Sequence, residues 1–464
     1  MADVLLTHSN HVYFDRKQVE KMQPYPPLQT LLAAAALRQA GLEVALFDSN
    51  LNNPLEGFEA ALEQHSPRLV AVCEDDFNFL SKMCLTRNRE VAFRMAEIVR
   101  QRRGVVSVVH GSDATDHLGA YFDAGFDFAI VGEVENTLLE LAQGAPVDGI
   151  AGLARRGSHH GSRQYAPRAL RVNLDSLPMP AWDLIDAEQY RQAWVSAHGY
   201  FSLNLVSSRG CPYSCNWCAK PIYGNNYRVR SPQLVAEEML RVKTTFAPDH
   251  IWFADDIFAL SAKWTLAFAD AAETLNARVP FKMQSRCDLM TRDTVDALRR
   301  AGCAEVWMGA ESGSQRILDA MDKGTRVEDI YAARENLRRN GIRACFFLQF
   351  GYPGEGWDDI EATVQMVRQA QPDDIGVSVS YPLPRTKFFE SVVTQLGPKV
   401  NWSESGDLSM MFQGAYSSEF YRTLAEALHL EVRRQTRDAG ALHDAWARVH
   451  LLRESQACGA VVSA

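Results

Sequence analysis

The stretch Ser207-Ser208-Arg209-Gly210-Cys211-Pro212-Tyr213-Ser214-Cys215-Asn216-Trp217-Cys218 decides how the whole chain is read. It follows an apolar run over 200–206 and carries three cysteines at C-x3-C-x2-C. Thiolates are soft ligands, and at this spacing on one loop they can face a single cluster of iron and sulfide. A four-iron cubane needs four ligands, so three thiolates leave one iron open to a substrate or cofactor. No fourth cysteine lies nearby; the next is Cys287. Structural zinc wants four closed ligands, and no local His or Cys completes that set. A redox pair of Cys215 and Cys218 leaves Cys211 unexplained. Three ordinary buried thiols are the plainest alternative.

On these residues the chain resembles the radical S-adenosylmethionine (SAM) enzymes: Gly210 precedes the first cysteine and the aromatic Trp217 precedes the last. The resemblance implies that Cys211, Cys215 and Cys218 are the catalytic, metal-binding residues of a 4Fe-4S cluster. It implies SAM as second cofactor, with Trp217 among the cofactor-binding residues. It also implies an external electron donor such as flavodoxin or ferredoxin.

With 464 residues the chain is long enough for two or three domains. Its formal net charge of -9 argues against a general nucleic-acid binder. The nine cysteines show no disulfide framework. The longest apolar run near the start, 31–37, is too short to span a bilayer, and no signal peptide is read before the first strand. A reducing, low-oxygen cytoplasm is therefore the expected setting.

Residues 1–150 alternate apolar runs with helical patterns. Strands are expected near 4–6, 43–48, 69–73, 105–109 and 126–131, and helices over 28–37, 88–102, 116–124 and 133–142. Such alternation implies a doubly wound parallel, Rossmann-like sheet, which binds ligands at the carboxyl ends of its strands. Two of those ends read His110-Gly111-Ser112-Asp113 and Gly132-Glu133-Val134-Glu135. By composition alone these are ordinary turns and helix starts, and no G-x-G-x-x-G marks a dinucleotide. The region also resembles the cobalamin-binding domain that precedes many radical SAM cores. The shared features are Pro24, Pro26 and Pro27 before the first long helix, Val108-Val109-His110-Gly111, and Val131-Gly132-Glu133. The resemblance implies cobalamin contacts from Gly111, Ser112, Gly132 and Glu133. Gln29 departs from it, standing where the family more often has glycine. So does Thr7-His8-Ser9-Asn10-His11-Val12, which lacks an Asp-x-His-x-x-Gly loop. A ligating histidine needs a partner to fix its tautomer. The expectation is therefore that none of His8, His11 and His110 lies below cobalt.

Residues 151–198 read as a linker, with a hairpin between 150–153 and 165–172 whose tip holds His159 and His160. Residues 199–390 repeat a strand–helix unit six times, with strands near 203–206, 250–253, 281–284, 306–309, 345–350 and 375–379. This fits a partial (β/α)6 TIM-type barrel, in which chemistry sits at the C-terminal strand ends. The cysteine loop follows the first of these strands. Asp255 and Asp256, Arg286, and Glu311 and Ser312 follow the second, third and fourth. Carboxylates suit an ammonium and a ribose diol, and a guanidinium suits a carboxylate, so the set matches SAM. Arg228 and Arg230 bind a substrate anion or lie on the surface. Residues 391–464 form a small helical C-terminal region, with an amphipathic helix over 419–437 packing on the barrel.

The reading is an α/β cobalamin-dependent radical SAM enzyme, a C-methyltransferase acting on an unactivated carbon of a small molecule. The alternatives are a non-methylating cyclase or oxidase of the same family, and a cobalamin or redox sensor. A methylthiotransferase lacks support because no second cysteine triple appears. Anaerobic reconstitution is expected to load about one four-iron cluster. Replacing Cys211, Cys215 and Cys218 together by alanine should abolish its absorption, while Cys287→Ala and Cys345→Ala should leave it. Persistence in the triple variant would overturn this reading.

Overall fold

Apolar runs in the first third of the chain become the parallel strands β1 (Val4–Thr7), β2 (Val44–Leu46), β3 (Leu69–Cys73), β4 (Val106–His110) and β5 (Phe128–Ile130). The structure is a computed structural model that describes residues 2–83, 85–157, 165–397, 401–433 and 439–461, without the side chains of 439 and 456–461. His159, His160, Cys84 and the Cys458 side chain lie outside the described residues. Alternate residues of a strand face opposite sides. Val4, Leu6, Leu69, Ala71 and Val108 accordingly meet helices Leu28–Gln39 and Val134–Ala142. Leu5, Val70, Val72 and Val109 meet helices Glu56–His65, Thr86–Arg100 and Leu118–Ala124. Both faces are covered, which is why these strands read as unbroken apolar runs. β6 (Leu153–Arg155) closes the edge antiparallel to β5. The order β2-β1-β3-β4-β5-β6 reverses direction between β1 and β3, where doubly wound sheets open a crevice for ligands.

The hairpin expected after 150 does not form among the described residues. Residues 165–172 run without strand, and β6 takes β5 as its partner. Arg168 draws this segment onto the neighbouring helix instead, donating to Thr137 Oγ1, Ala151 O and Glu140. Several helices go beyond the expected set, among them Glu56–His65 and Ala187–His198. The latter is capped by Asp186 and buries Tyr190 and Trp194 in the core of the second sheet.

That sheet contains β7 (Ser202–Leu205) and, after the two-residue antiparallel ribbon β8 (Ser208–Arg209) and β9 (Arg228–Val229), the strands β10 (His250–Phe253), β11 (Phe281–Ser285), β12 (Cys303–Glu311), β13 (Arg343–Phe350) and β14 (Asp374–Val379). Its order, β14-β13-β12-β11-β10-β7, follows the chain, and every pairing is parallel. This is the expected barrel portion, with all chemistry-bearing loops at one end. Leu203, Ile251, Phe253, Phe281, Val306 and Phe346 are buried against the outer helices. The opposite face is crossed by the proline-rich segment: Trp194 Nε1 donates to Pro24 O (2.7 Å), Asn204 Nδ2 to Pro26 O (2.9 Å), and the Tyr25 hydroxyl meets Ser202 Oγ at 3.1 Å. Helix Ser418–Arg433 buries Phe420, Leu424 and Leu428 beside β14, as its apolar spacing requires. No helix among the described residues is long and apolar enough to cross a membrane.

The C-terminal strand ends of the two sheets face each other, held by buried ions. Arg209, on β8, reaches Glu133 Oε1 (2.8 Å) and pairs with Glu135. Arg228, on β9, reaches the same Glu133 oxygen at 2.9 Å. Gln29 Nε2 donates to Glu135 (3.0 Å), and the Tyr223 hydroxyl donates to Gln29 Oε1 (2.8 Å). Burial alone would push the Glu135 carboxyl up; the charge and hydrogen bonds of Arg209 outweigh it and hold it well below the usual range. Removing one partner of such a group strands the other charge in a dry place. Arg209→Met is expected to lower the unfolding free energy by ~3–5 kcal/mol in chemical denaturation. A loss no larger than the ~0.2–1 kcal/mol of a surface pair would contradict this role.

Candidate active site between the two sheets

The cysteine loop leaves the barrel through Gly210, whose φ is +78° and whose hypothetical Cβ would stand 2.1 Å from Asn226 O. Only glycine fits there. Beyond it the loop is pinned at several points. Asn216 N–H donates to Met321 O (3.0 Å) and Asn216 Nδ2 to Ala320 O (2.7 Å). The Tyr352 hydroxyl donates to Asn216 Oδ1 (3.0 Å). Lys220 Nζ donates to Cys211 O (3.1 Å), Asn225 Oδ1 (2.8 Å) and Tyr213 O. Trp217 packs against the cluster of Tyr352 and Phe388, and its Nε1 is buried without a partner.

Cys211, Cys215 and Cys218 are half-buried and free. Burial pushes the Cys218 thiol up to about 12, with Lys220 pulling against it. Burial raises Cys211 as well. Such thiols ionise readily only beside a strong cation, which iron supplies. Among the described residues no three His, Cys, Asp or Glu side chains converge tightly enough for a single metal ion. A four-iron cluster takes its ligands on separate irons. The loop's donor set, anchoring and surrounding cations fit that group.

The barrel-end residues expected to meet SAM divide into two sets. Asp255 and Ser312 are fully buried and engaged by the protein. Asp255 accepts from Ser207 N (3.1 Å), Ser207 Oγ (2.6 Å) and the Ser208 hydroxyl, bracing the strand end that launches the cysteine loop. Ser312 Oγ lies 3.1 Å from Thr363 Oγ1 and accepts from Ser314 N. Asp256, Arg286 and Glu311 instead lie where their charges act on the thiols or their neighbours. Asp256 acts on Cys211 and Cys218. Arg286 lies 3.7 Å over the Tyr213 ring and pairs with Asp288. Glu311, with φ of +58°, binds Lys323 Nζ at 2.8 Å. Lys323 was not anticipated; it lies in a loop with no local pattern. Arg228 and Arg230 are not on the surface, since each is mostly buried in an ion pair, with Glu133 and Glu238.

The first sheet contributes the facing wall. Gly132 has φ of +89° and open space around it, and Ser112 lines a gap between the sheets. Gly111 and Glu133 are used by the protein itself. A Cβ on Gly111 would meet Glu74 Cβ at 2.8 Å, and Glu133 is spent on Arg209, Arg228 and Arg171 N. The gap, of about 270 Å³, is also lined by Asp76, Lys82, Asp256 and the segment after Cys218. Asp76 is the residue sequence reading missed. Both its carboxylate oxygens are buried without a hydrogen bond, and burial holds its carboxyl well above the usual range. Three successive acids, Glu74-Asp75-Asp76, directly after an apolar strand were the available signal.

Among the described residues, buried side-chain atoms without a hydrogen-bond partner gather after β3, on Glu74, Asp76, Ser81 and Asn88. Buried polar atoms ordinarily find partners. The unpaired carboxylate oxygens of Glu74 and Asp76, directly after β3, fit a ligand whose rim carries many amides, as a corrin's does. The histidines are accounted for differently. His8 Nε2 meets Asp48 Oδ1 at 2.9 Å and its Nδ1 faces Ser49 Oγ at 3.3 Å, so the missing aspartate comes from the end of β2. His110 Nε2 meets Gly132 O at 3.0 Å and its Nδ1 lies 3.8 Å from Cys73 Sγ. His11 Nδ1 meets Ser49 O at 2.8 Å.

The Radical SAM superfamily model matches residues 205–367, from the end of β7 to helix Trp357–Ala370. An uncharacterized methyltransferase of Pyrococcus horikoshii is 27% identical over 282 residues, 60% of this chain and 60% of that protein. The anaerobic magnesium-protoporphyrin IX monomethyl ester cyclase of Rubrivivax gelatinosus is 25% identical over 284 residues, 59% of this chain and 50% of that protein. The chain thus spans half to three-fifths of the length of these relatives. The radical SAM methyltransferase TsrM of Kitasatospora setae, solved with cobalamin and a [4Fe-4S] cluster, superposes with a TM-score of 0.69. It is 20% identical and covers 85% of this chain and 75% of its own. Residues 205–367 thus match the Radical SAM superfamily, and the superposition shows a fold shared with that methyltransferase.

Proposed function

We propose that this chain is a cobalamin-dependent radical SAM methyltransferase that methylates an unactivated carbon of a small molecule. The observation that carries the reading is the meeting of two strand-end sites in one interface: residues 219–223, directly after the cysteine loop of the barrel, and Asp76 and Ser112 of the Rossmann-like sheet line the same gap. When bound, the cluster and SAM supply a reducing electron and a 5′-deoxyadenosyl radical, and cobalamin supplies a transferable methyl group.

The chain's part is to hold and to screen. Cys211, Cys215 and Cys218 anchor the cluster, and the Asn216 contacts keep the loop rigid. Glu311 with Lys323, and Arg286, offer a carboxylate and two cations beside Cys215 for the ammonium and carboxylate of an amino acid. Gly132, Ser112 and Asp76 face the corrinoid side. His8 and His110 have both ring nitrogens engaged, which supports neither of these two lying below cobalt. In this reading the electron comes from an outside donor of the flavodoxin or ferredoxin kind, in a reducing cytoplasm.

A second reading, a non-methylating cyclase or oxidase, is favoured by the similarity to the Rubrivivax gelatinosus cyclase. Product analysis of anaerobic turnover separates the two. Methyl transfer is expected to release S-adenosylhomocysteine and 5′-deoxyadenosine together, one of each per methylated product. Turnover yielding 5′-deoxyadenosine without S-adenosylhomocysteine would support the second reading and end the first.

A further inference from the structure

Four cations surround the three cysteines. Lys82 and Lys220 act on Cys218, Lys220 also on Cys211, and Lys323 and Arg286 on Cys215. Three of them are matched by a carboxylate: Lys82 by Asp256, Lys323 by Glu311 and Arg286 by Asp288. Lys220 is not. Among the described residues it makes no ion pair, and its three N–H donors go to two backbone carbonyls of the cysteine loop, at Cys211 and Tyr213, and to the neutral amide of Asn225. A neutral acceptor orients an ammonium without cancelling its charge. The fold thus keeps one uncompensated positive charge fixed against the loop, two residues beyond Cys218.

We infer that Lys220 is a positioning and tuning residue for the cluster: it ties the first and last cysteines together and raises the cluster's reduction potential. The inference rests on the reading of Cys211, Cys215 and Cys218 as cluster ligands. One-electron reduction adds a negative charge to the cluster, and the electron comes from an outside low-potential donor. A fixed cation nearby stabilises the reduced form more than the oxidised one, and net charge and hydrogen bonding are two established levers on such potentials. A loop lysine bonded only to carbonyls would serve shape alone if its charge were screened. Its half-buried setting, beneath the gap that the facing sheet closes, limits that screening.

The test is a potentiometric titration of the reconstituted full chain, following the paramagnetic resonance of the reduced cluster, with iron content measured in parallel. Lys220→Gln keeps two N–H donors for the carbonyls and removes the charge; Lys220→Arg keeps both. Lys220→Gln is expected to retain iron but to show about a tenfold lower ratio of reduced to oxidised cluster at a fixed potential, about 59 mV for one electron. Lys220→Arg is expected to stay close to the native midpoint. A native midpoint in Lys220→Gln, or equal shifts in both variants, would overturn the inference while leaving the cluster reading intact. Absence of iron and of the signal from the native protein would instead refute the cluster reading.

Discussion

The buried ion cluster of Arg209, Glu133, Glu135 and Arg228 is the interaction on which the rest of the structure depends. Arg209 immediately precedes Gly210 and Cys211, while Glu133 and Glu135 lie at the start of helix Val134–Ala142, which follows β5 of the other sheet. Buried charges survive only when paired in good geometry. The cysteine loop can therefore leave its strand only where the first sheet supplies acids. Placing the loop and docking the two sheets are thus one event. Gln29 belongs to the same arrangement. It bridges Glu135 and Tyr223.

Around that anchor the interface is crowded with charge but arranged in opposed pairs. Lys82 meets Asp256, Arg385 meets Asp116, and Arg89 meets Asp113 across or beside the gap. Such pairs close the interface against water, and a dry site strengthens every remaining electrostatic interaction and shields reactive species from quenching. Two groups stand outside these pairs, the carboxyl of Asp76, which has His110 Nε2 at 3.5 Å but no hydrogen bond, and the ammonium of Lys220, and both line the gap. The uncompensated groups of the interface thus collect where chemistry would occur.

Much of this was legible in the sequence because it is local. Three cysteines within eight residues announce their own loop, and alternating apolar runs announce strands that end in polar residues. What stayed hidden depends on partners far away along the chain. Arg209 and Glu135 are 74 residues apart, and nothing in either neighbourhood names the other. Arg228 and Arg230 read as surface or anion-binding residues for the same reason, and the structure gives them buried carboxylates. The expected hairpin after 150 had a plausible glycine-rich turn, but pairing was decided by the open edge of β5 and by Arg168. Ser312 and Asp255 sit at the right strand ends, yet their oxygens are consumed by Thr363 and by Ser207 and Ser208. Position along a strand tells which end a residue occupies, and burial decides what it faces.

The central claim is that both cofactors meet at one interface. It is tested most directly by paramagnetic resonance of the full chain carrying a reduced cluster and cobalt(II) cobalamin together. The account expects each signal to be broadened or split relative to the protein loaded with one group alone, since both paramagnets would sit at the facing strand ends. A spectrum equal to the simple sum of the two separate signals would contradict it.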